Sequence, residues 1–287
     1  MEGRIIKGVG GLYFVDTEKG VYNCKPRGIF RKDKIKPVIG DFVTISVLSE
    51  LNNEGVIDHI HERKNELLRP KVCNIDQSIL VFSTVSPDIN LDLLDRLTIL
   101  SEEQNLKTII CINKADISNR ADYENIKKDY EHIGYKVIFT STKTGEGIQD
   151  LKNSLQNKVS VFSGPSGVGK SSLTNFLVPS TNMETGCLSK NNKGKHTTRH
   201  AQLIKFAEKS YIVDSPGFTS LFLEHIKPEN LAYLFKEFRP FIDTCKFNDC
   251  HHINEPFCEV KQRVDIDITP KRYNRYVNLF SELHTKP

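Results

Sequence analysis

Gly164-Pro165-Ser166-Gly167-Val168-Gly169-Lys170-Ser171 carries the pattern G-x-x-x-x-G-K-[ST], and its reading decides the fold. Gly164 and Gly169 let the backbone bend so tightly that its N–H groups turn toward phosphate oxygens. Lys170 sets a positive charge against the β- and γ-phosphates, and the Ser171 hydroxyl is placed to ligate Mg²⁺. Ser172 follows in the same turn and joins the expected nucleotide contacts. The flanks agree with this reading. Lys158–Phe162 reads as a short buried strand and Lys170–Leu177 as a helix. Strand, loop and helix N-terminus is the arrangement an anion site needs. The bland alternative, a glycine-rich turn with an incidental lysine, leaves that context unexplained.

Around this loop the chain alternates strand and helix. Strands are predicted at Ser78–Ser83, Lys107–Ile112 and Lys136–Thr140. Helices are predicted at Leu91–Leu100, with Asn90 as N-cap, at Asp122–Ile133 and at Gly147–Leu155. Gln202–Ala207 and Ser210–Asp214 read as a hairpin or a neighbouring pair. The alternation predicts an α/β core, a mostly parallel sheet with helices on both faces.

Short motifs at the predicted strand ends serve the same ligand. Asn113-Lys114-Ala115-Asp116 leaves a strand at the edge where open α/β sheets bind ligands. The Asp116 carboxylate can accept both N1–H and N2–H of guanine. Adenine offers no such pair, so it would leave a buried charge unpaired. Asn113 would brace the loop, and the Lys114 stem would cover the base. Ser141-Thr142-Lys143 follows another strand and can offer backbone N–H to the guanine carbonyl. Asp214-Ser215-Pro216-Gly217 is D-x-x-G: Asp214 can hold Mg²⁺ through water, and the Gly217 N–H can reach the γ-phosphate. Within Gly194–Arg199, Thr197 or Thr198 completes the Mg²⁺ shell, with Thr198 favoured. Each motif alone is an ordinary turn; together they describe one GTP site.

In the usual small GTPase the phosphate loop comes first and N-K-x-D near the end. Here the order is reversed, so the chain reads as circularly permuted, which a site assembled in space tolerates. At this point the sequence resembles the bacterial ribosome small-subunit-dependent GTPases, the RsgA family. The resemblance spans the whole chain through Asn113–Asp116, Gly164–Ser171, Lys195–Thr198 and Asp214–Phe218. It implies late assembly of the small ribosomal subunit, contact with ribosomal RNA, and slow GTP hydrolysis that the subunit accelerates. Phe218 stands where a Gln after D-x-x-G orients water in ordinary small GTPases. Phenylalanine cannot hydrogen-bond water, so another residue must position it, and His196 is the expected catalytic residue, as the resemblance also suggests. The alternative is an RNA-binding assembly placeholder for which GTP is only a conformational ligand. A P-loop ATPase or kinase is disfavoured by Asp116.

The chain has 287 residues and seven cysteines. Cys245, Cys250 and Cys258 cluster with His252. Three thiolates and an imidazole suit a closed tetrahedral zinc site of structural kind. His251 is the rival ligand, and the resemblance selects His252. The scattered Cys24, Cys73, Cys111 and Cys187 read as plain thiols.

Residues 1–66 carry five short strand candidates: Arg4–Lys7, Gly11–Val15, Gly20–Cys24, Asp41–Val47 and Gly55–Ile60. They suggest an OB-fold barrel able to take RNA. Between the third and fourth lies Lys25–Lys36, with six basic residues and one acid, a solvated loop or a phosphate-backbone contact. Arg63–Val72 is polar and reads as a linker. The GTPase domain is expected over 67–218 and a helical zinc-binding domain over 219–287. In the latter, Pro228–Phe238 and Pro270–Leu283 read as helices, the second carrying Arg272, Tyr273, Arg275 and Tyr276. Lys plus Arg number 40 against 36 Asp plus Glu, which suits an acidic partner without demanding one. With no apolar leader or membrane-length window, the expectation is a soluble, cytoplasmic protein; nothing in the sequence demands a dimer, so a monomer is expected.

Overall fold

The computed structural model describes residues 1–28, 30, 35–68, 70–117, 119, 121–178, 201–214 and 223–285. Strands β1 (Glu2–Val9), β2 (Leu12–Thr17), β3 (Gly20–Pro26), β4 (Phe42–Ser49) and β5 (Glu54–Ile60) close a barrel in the order β1-β2-β3-β5-β4. Each of the five expected strands is present. Ile5, Val15, Tyr22, Cys24, Val43, Ile45 and Ile57 point inward, and Phe30 packs among them. The parallel pairing of β3 with β5 and the closure of β1 on β4 give the expected OB topology. Of the basic stretch between β3 and β4, Arg27 is paired, its Nε lying 2.6 Å from Asp58 Oδ1. Arg31, Lys32 and Lys34 lie outside the described residues.

Arg63–Val72 is more than a linker. It contains most of a hairpin, β6 (Glu66–Leu68) against β7 (Lys71–Cys73), with Pro70 in the turn. Leu67 and Val72 pair across it and are buried with Val159, Val161 and Val213 of the core sheet. Burial of these two side chains orders a segment whose composition is otherwise polar.

The core is a six-stranded sheet: β8 (Gln77–Ser83), β9 (Lys107–Asn113), β10 (Lys136–Thr140), β11 (Val159–Ser163), β12 (Gln202–Ala207) and β13 (Ser210–Asp214). Their order is β10-β9-β8-β11-β13-β12, parallel except for β12, which runs antiparallel to β13. Helices α1 (Leu91–Glu103), α2 (Ala121–His132), α3 (Ile148–Leu155) and α4 (Lys170–Leu177) cover both faces. Alternation within β8 shows how. Ile79 and Val81 pack with Leu151 and Leu155 of α3 and Leu173 of α4; Leu80 and Phe82 pack with Leu94 and Leu97 of α1 and Tyr130 of α2. Burial on both faces explains why these strands read as unbroken apolar runs. Asn90 caps α1 as expected, its Oδ1 accepting from Leu93 N at 3.0 Å.

The C-terminal region differs from the expectation in one element. Pro228–Phe238 is not one helix: α5 (Pro228–Leu231) passes into a 3₁₀ turn (Ala232–Leu234), and Phe235 is extended. Phe235 and Phe238 are fully buried against Tyr276, with ring centroids 5.2 and 4.9 Å from it. Packing two rings on one tyrosine outweighs the helical periodicity, and α6 (Arg239–Ile242) begins afresh. Short α7 (Glu259–Gln262) follows the Cys/His stretch. Helix α8 (Pro270–Thr285) includes the expected Pro270–Leu283. Among the described residues no helix is long and apolar enough to cross a membrane.

Candidate nucleotide site and metal centre

The phosphate loop joins β11 to α4 and cannot be built from other residues at two points. Gly164 has φ +143, and a Cβ there would lie 2.0 Å from Val81 O. Gly169 has φ +94, and its Cβ would meet Asn113 Nδ2 at 2.3 Å. That second contact shows the N-K-x-D segment pressing on the phosphate loop. Asn113 is buried, and its Nδ2 donates to Val168 O at 2.9 Å, the brace expected of it. Its Oδ1 in turn accepts from Thr140 Oγ1 at 3.1 Å. Thr140 lies at the end of β10 and belongs to no motif, so sequence reasoning missed it. Its signal was only its place one residue before Ser141.

Lys170 Nζ donates to Gly164 O at 2.8 Å and Pro165 O at 2.6 Å, which holds the ammonium over the loop. Burial lowers its pKa from the ordinary lysine value, because a desolvated ammonium lacks a countercharge that an anion in the loop would supply. Ser166 and Gly167 are exposed at the loop's outer edge and Val168 is buried beneath it. Ser171 is exposed at the helix N-terminus and Ser172 half-buried beside it.

The base end is equally assembled. Asp116 Oδ1 accepts from Ser141 Oγ at 2.7 Å, and that Oγ accepts from the backbone N–H of Lys143 and Thr144, each at 3.2 Å. The turn Ser141–Lys143, including Thr142, is therefore tied to the carboxylate meant to read the base. Lys114 sits at φ +64, and its Nζ donates to Ser86 O at 2.6 Å. At the γ-phosphate end, Asp214 closes β13, and its Oδ2 accepts from Gln202 Nε2 at 3.1 Å. Gln202 is another residue that no motif marks. His196, Thr197, Thr198, Ser215, Gly217, Phe218 and Cys187 lie outside the described residues.

Cys245, Cys250, His252 and Cys258 bring their ligand atoms within 4.8 Å of one another. His252 Nδ1 lies 3.5 Å from Cys245 Sγ and 3.4 Å from Cys258 Sγ. Burial lowers the His252 pKa, which favours the neutral imidazole, the form that binds metal. His251 is exposed, packs tilted against Phe280 with ring centroids 5.1 Å apart, and is not among the four clustered ligands. The donor set fits a four-coordinate soft or borderline cation with no open position. Cys24 and Cys111 are buried thiols, their pKa values raised by burial to about 11 and about 12, which leaves them unreactive.

A phosphate loop at a strand-to-helix turn, braced by N-K-x-D from a strand two places away in the sheet that precedes it in the chain, defines a circularly permuted P-loop GTPase. Comparison with known proteins carries this further. Residues 2–57 match the family model described as RsgA N-terminal domain, and residues 60–224 that described as RsgA GTPase. Small ribosomal subunit biogenesis GTPase RsgA of Alkaliphilus metalliredigens is 46% identical over 284 residues, covering 98% of this chain and 97% of that one. A Clostridium perfringens protein of the same name is 45% identical over 285 residues, covering 99% and 98%. Among solved structures, YloQ, described as a circularly permuted GTPase, matches with TM-score 0.84 and 40% identity, covering 100% of this chain and 96% of that one. YjeQ from Thermotoga maritima matches with TM-score 0.87 and 36% identity, covering 100% and 99%. This chain belongs to the RsgA GTPase family and is a GTP-hydrolysing enzyme.

Proposed function

We propose that this GTPase acts in late assembly of the small ribosomal subunit, that the subunit stimulates its hydrolysis, and that hydrolysis drives its release. The observation that carries the reading is end-to-end similarity to proteins named for small-subunit biogenesis, over a chain whose nucleotide site is assembled in space. In this reading Asp116 selects guanine, with Lys114 covering the base and Ser141–Lys143 addressing its carbonyl. Gly164–Ser172 cradle the phosphates. Ser171 and Thr198 hold Mg²⁺ with Asp214 behind, and Gly217 senses the γ-phosphate. His196 positions the attacking water, because Phe218 offers no hydrogen bond. Cys245, Cys250, His252 and Cys258 hold one structural zinc ion. The barrel over 1–66 and the zinc module over 219–287 contact ribosomal RNA on either side of the GTPase domain over 67–218. The protein works as a cytoplasmic monomer.

Turnover measured with and without purified small subunits tests the reading. Wild-type turnover is expected to rise strongly on the subunit. His196→Ala should still co-sediment with subunits in a non-hydrolysable GTP analogue, yet lose roughly 10²-fold or more of the stimulated rate. Turnover indifferent to subunits would leave GTP a conformational ligand only, and full stimulation of His196→Ala would remove that residue from catalysis.

A further inference from the structure

The metal cluster depends on a residue with an unusual backbone. His252 sits at φ +60, the left-handed region that a side chain with a Cβ enters only at a steric cost. With this turn Nδ1 lies between Cys245 Sγ and Cys258 Sγ. The two thiols that approach the ring touch Nδ1 at its tip, and the backbone on either side of His252 is held by other groups.

Glu255 is the first of these. Its Oε1 accepts from His251 N at 2.8 Å, and its Oε2 accepts from Ile253 N at 2.9 Å and Asn254 N at 3.0 Å. One carboxylate therefore gathers the N–H just before His252 and the two just after it. Both oxygens are taken up by backbone donors, so Glu255 is placed as a clamp on the loop rather than as a ligand. Helix α8 completes the hold from the other side. Tyr273 Oη donates to His252 O at 2.8 Å, and Tyr276 Oη donates to His251 O at 2.6 Å. The Phe238 ring lies edge-on to the imidazole at 6.4 Å. In sequence Glu255 is three residues after one ligand, His252, and three before another, Cys258.

We infer that Glu255 is the positioning residue of the zinc site: its carboxylate fixes the left-handed turn at His252 and so sets the affinity and geometry of the three-sulfur, one-nitrogen set. The inference rests on the zinc reading above. Groups that orient metal ligands without touching the metal characteristically change affinity by 10- to 100-fold when removed. Glutamine keeps one carbonyl acceptor but turns its amide donors toward N–H groups, so it should rescue only part of the loss.

The full-length chain, purified with zinc, is challenged with a chromogenic chelator, and the same chain reconstituted with Co²⁺ is read by its visible d–d bands. Glu255→Ala should give up zinc about 10- to 100-fold more readily, with Glu255→Gln between it and the wild type. The cobalt bands of Glu255→Ala should shift while its GTP binding stays that of the wild type. If Glu255→Ala does not fold, the same ordering is required of Glu255→Gln against the wild type. Zinc retention and cobalt bands unchanged in the variants would overturn the role of Glu255 and leave the zinc site standing. Absence of zinc from the wild-type chain would overturn both.

Discussion

The C-terminal module grips helix α1 through a dry, charged interface, whereas the barrel meets the β12–β13 hairpin through one that is partly wet. On the module side, Arg272 of α8 is 2% exposed and pairs with Asp95 of α1, 0% exposed, and with Glu237 at 2.7 Å. Arg275 Nη1 holds the other Asp95 oxygen at 3.0 Å; only at the exposed edge does a wetter pair, Arg239 to Glu102 at 2.7 Å, join this dry centre. Ile99 of α1 lies inside the module's own apolar cluster, with Phe235, Phe238 and Tyr276. On the barrel side, Asp16 accepts from Tyr211 Oη at 2.6 Å and faces Lys205 Nζ at 2.7 Å, with Lys205 43% exposed. Ile6 and Ile39 add a modest apolar contact against the cluster containing Val159 and Tyr211. The difference bears on where nucleotide state can be felt. Removing one partner of the buried network strands charges in a dry interior, so the module should move with α1 as one body. The barrel's polar tie sits on a hairpin whose far end pairs Gln202 with Asp214, next to the segments carrying Thr198 and Gly217.

The largest effect expected from breaking this contrast comes from the proposed zinc site. Cys250→Ser should lose zinc, and in small modules a structural zinc is worth on the order of 10 kcal/mol of folding free energy. The aromatic cluster around Phe235 and Tyr276 then loses the loop that closes it, and the grip on α1 goes with it. Hydrogen exchange should show protection lost across α5–α8 while the core still binds GTP. Full protection in the metal-free variant would mean that the apolar cluster, not the metal, holds the module.

Next comes the buried network itself. Arg272→Leu takes from Glu237 the arginine it pairs with and leaves Asp95 with Arg275 and Tyr130 alone. Breaking a buried pair on one side costs about 3–5 kcal/mol. A lower denaturant midpoint for loss of module structure is the measurement. A loss within the range of an exposed pair, about 0–1 kcal/mol, would erase the contrast with the barrel side.

None of that network was legible in the sequence, although Arg272 and Arg275 stood out on a predicted helix. Asp95 lies 177 positions before Arg272, and nothing local tells a buried arginine from a solvated one. The same limit hid Thr140, Gln202 and Glu255, whose roles are set by the atoms they face rather than by any pattern. What was legible has local causes. The central strands β8 and β9 carry apolar runs because both faces are covered, and Gly164 and Gly169 stand where a Cβ would strike Val81 or Asn113. The permuted order of motifs was readable because each motif sits at its own strand end, whatever the connection between strands. The β6–β7 hairpin failed to announce itself because only Leu67 and Val72 anchor it, too few for a period-2 signal. At Pro228–Phe238 the signal misled: Phe235 and Phe238 have helical spacing, yet both rings are spent on Tyr276.

The smallest expected effect is at the barrel contact, and it is the most informative about switching. Asp16 is nearly buried, but Lys205 is half in water, so solvent screens their attraction. A double-mutant cycle of Asp16→Asn and Lys205→Met should therefore give a coupling of only about 0.5–1 kcal/mol in the nucleotide-free protein. Tyr211 keeps an acceptor in Asp16→Asn, so the cycle reports the ion pair rather than the hydroxyl's bond. Lys205 and Tyr211 face each other three residues in from the Gln202–Asp214 end. If the γ-phosphate pulls on Asp214 or the chain beyond it, the hairpin shifts under Asp16, and the coupling should differ between the GDP and GTP-analogue forms. A ligand can move this contact only as far as its affinity differs between the two arrangements, so the same difference must appear in the nucleotide affinities of Asp16→Asn. An unchanged coupling in both nucleotide states would make the barrel a passive mount. A coupling as large as that of the buried Arg272 network would make both flanking bodies rigid, and nucleotide state would have to be read elsewhere.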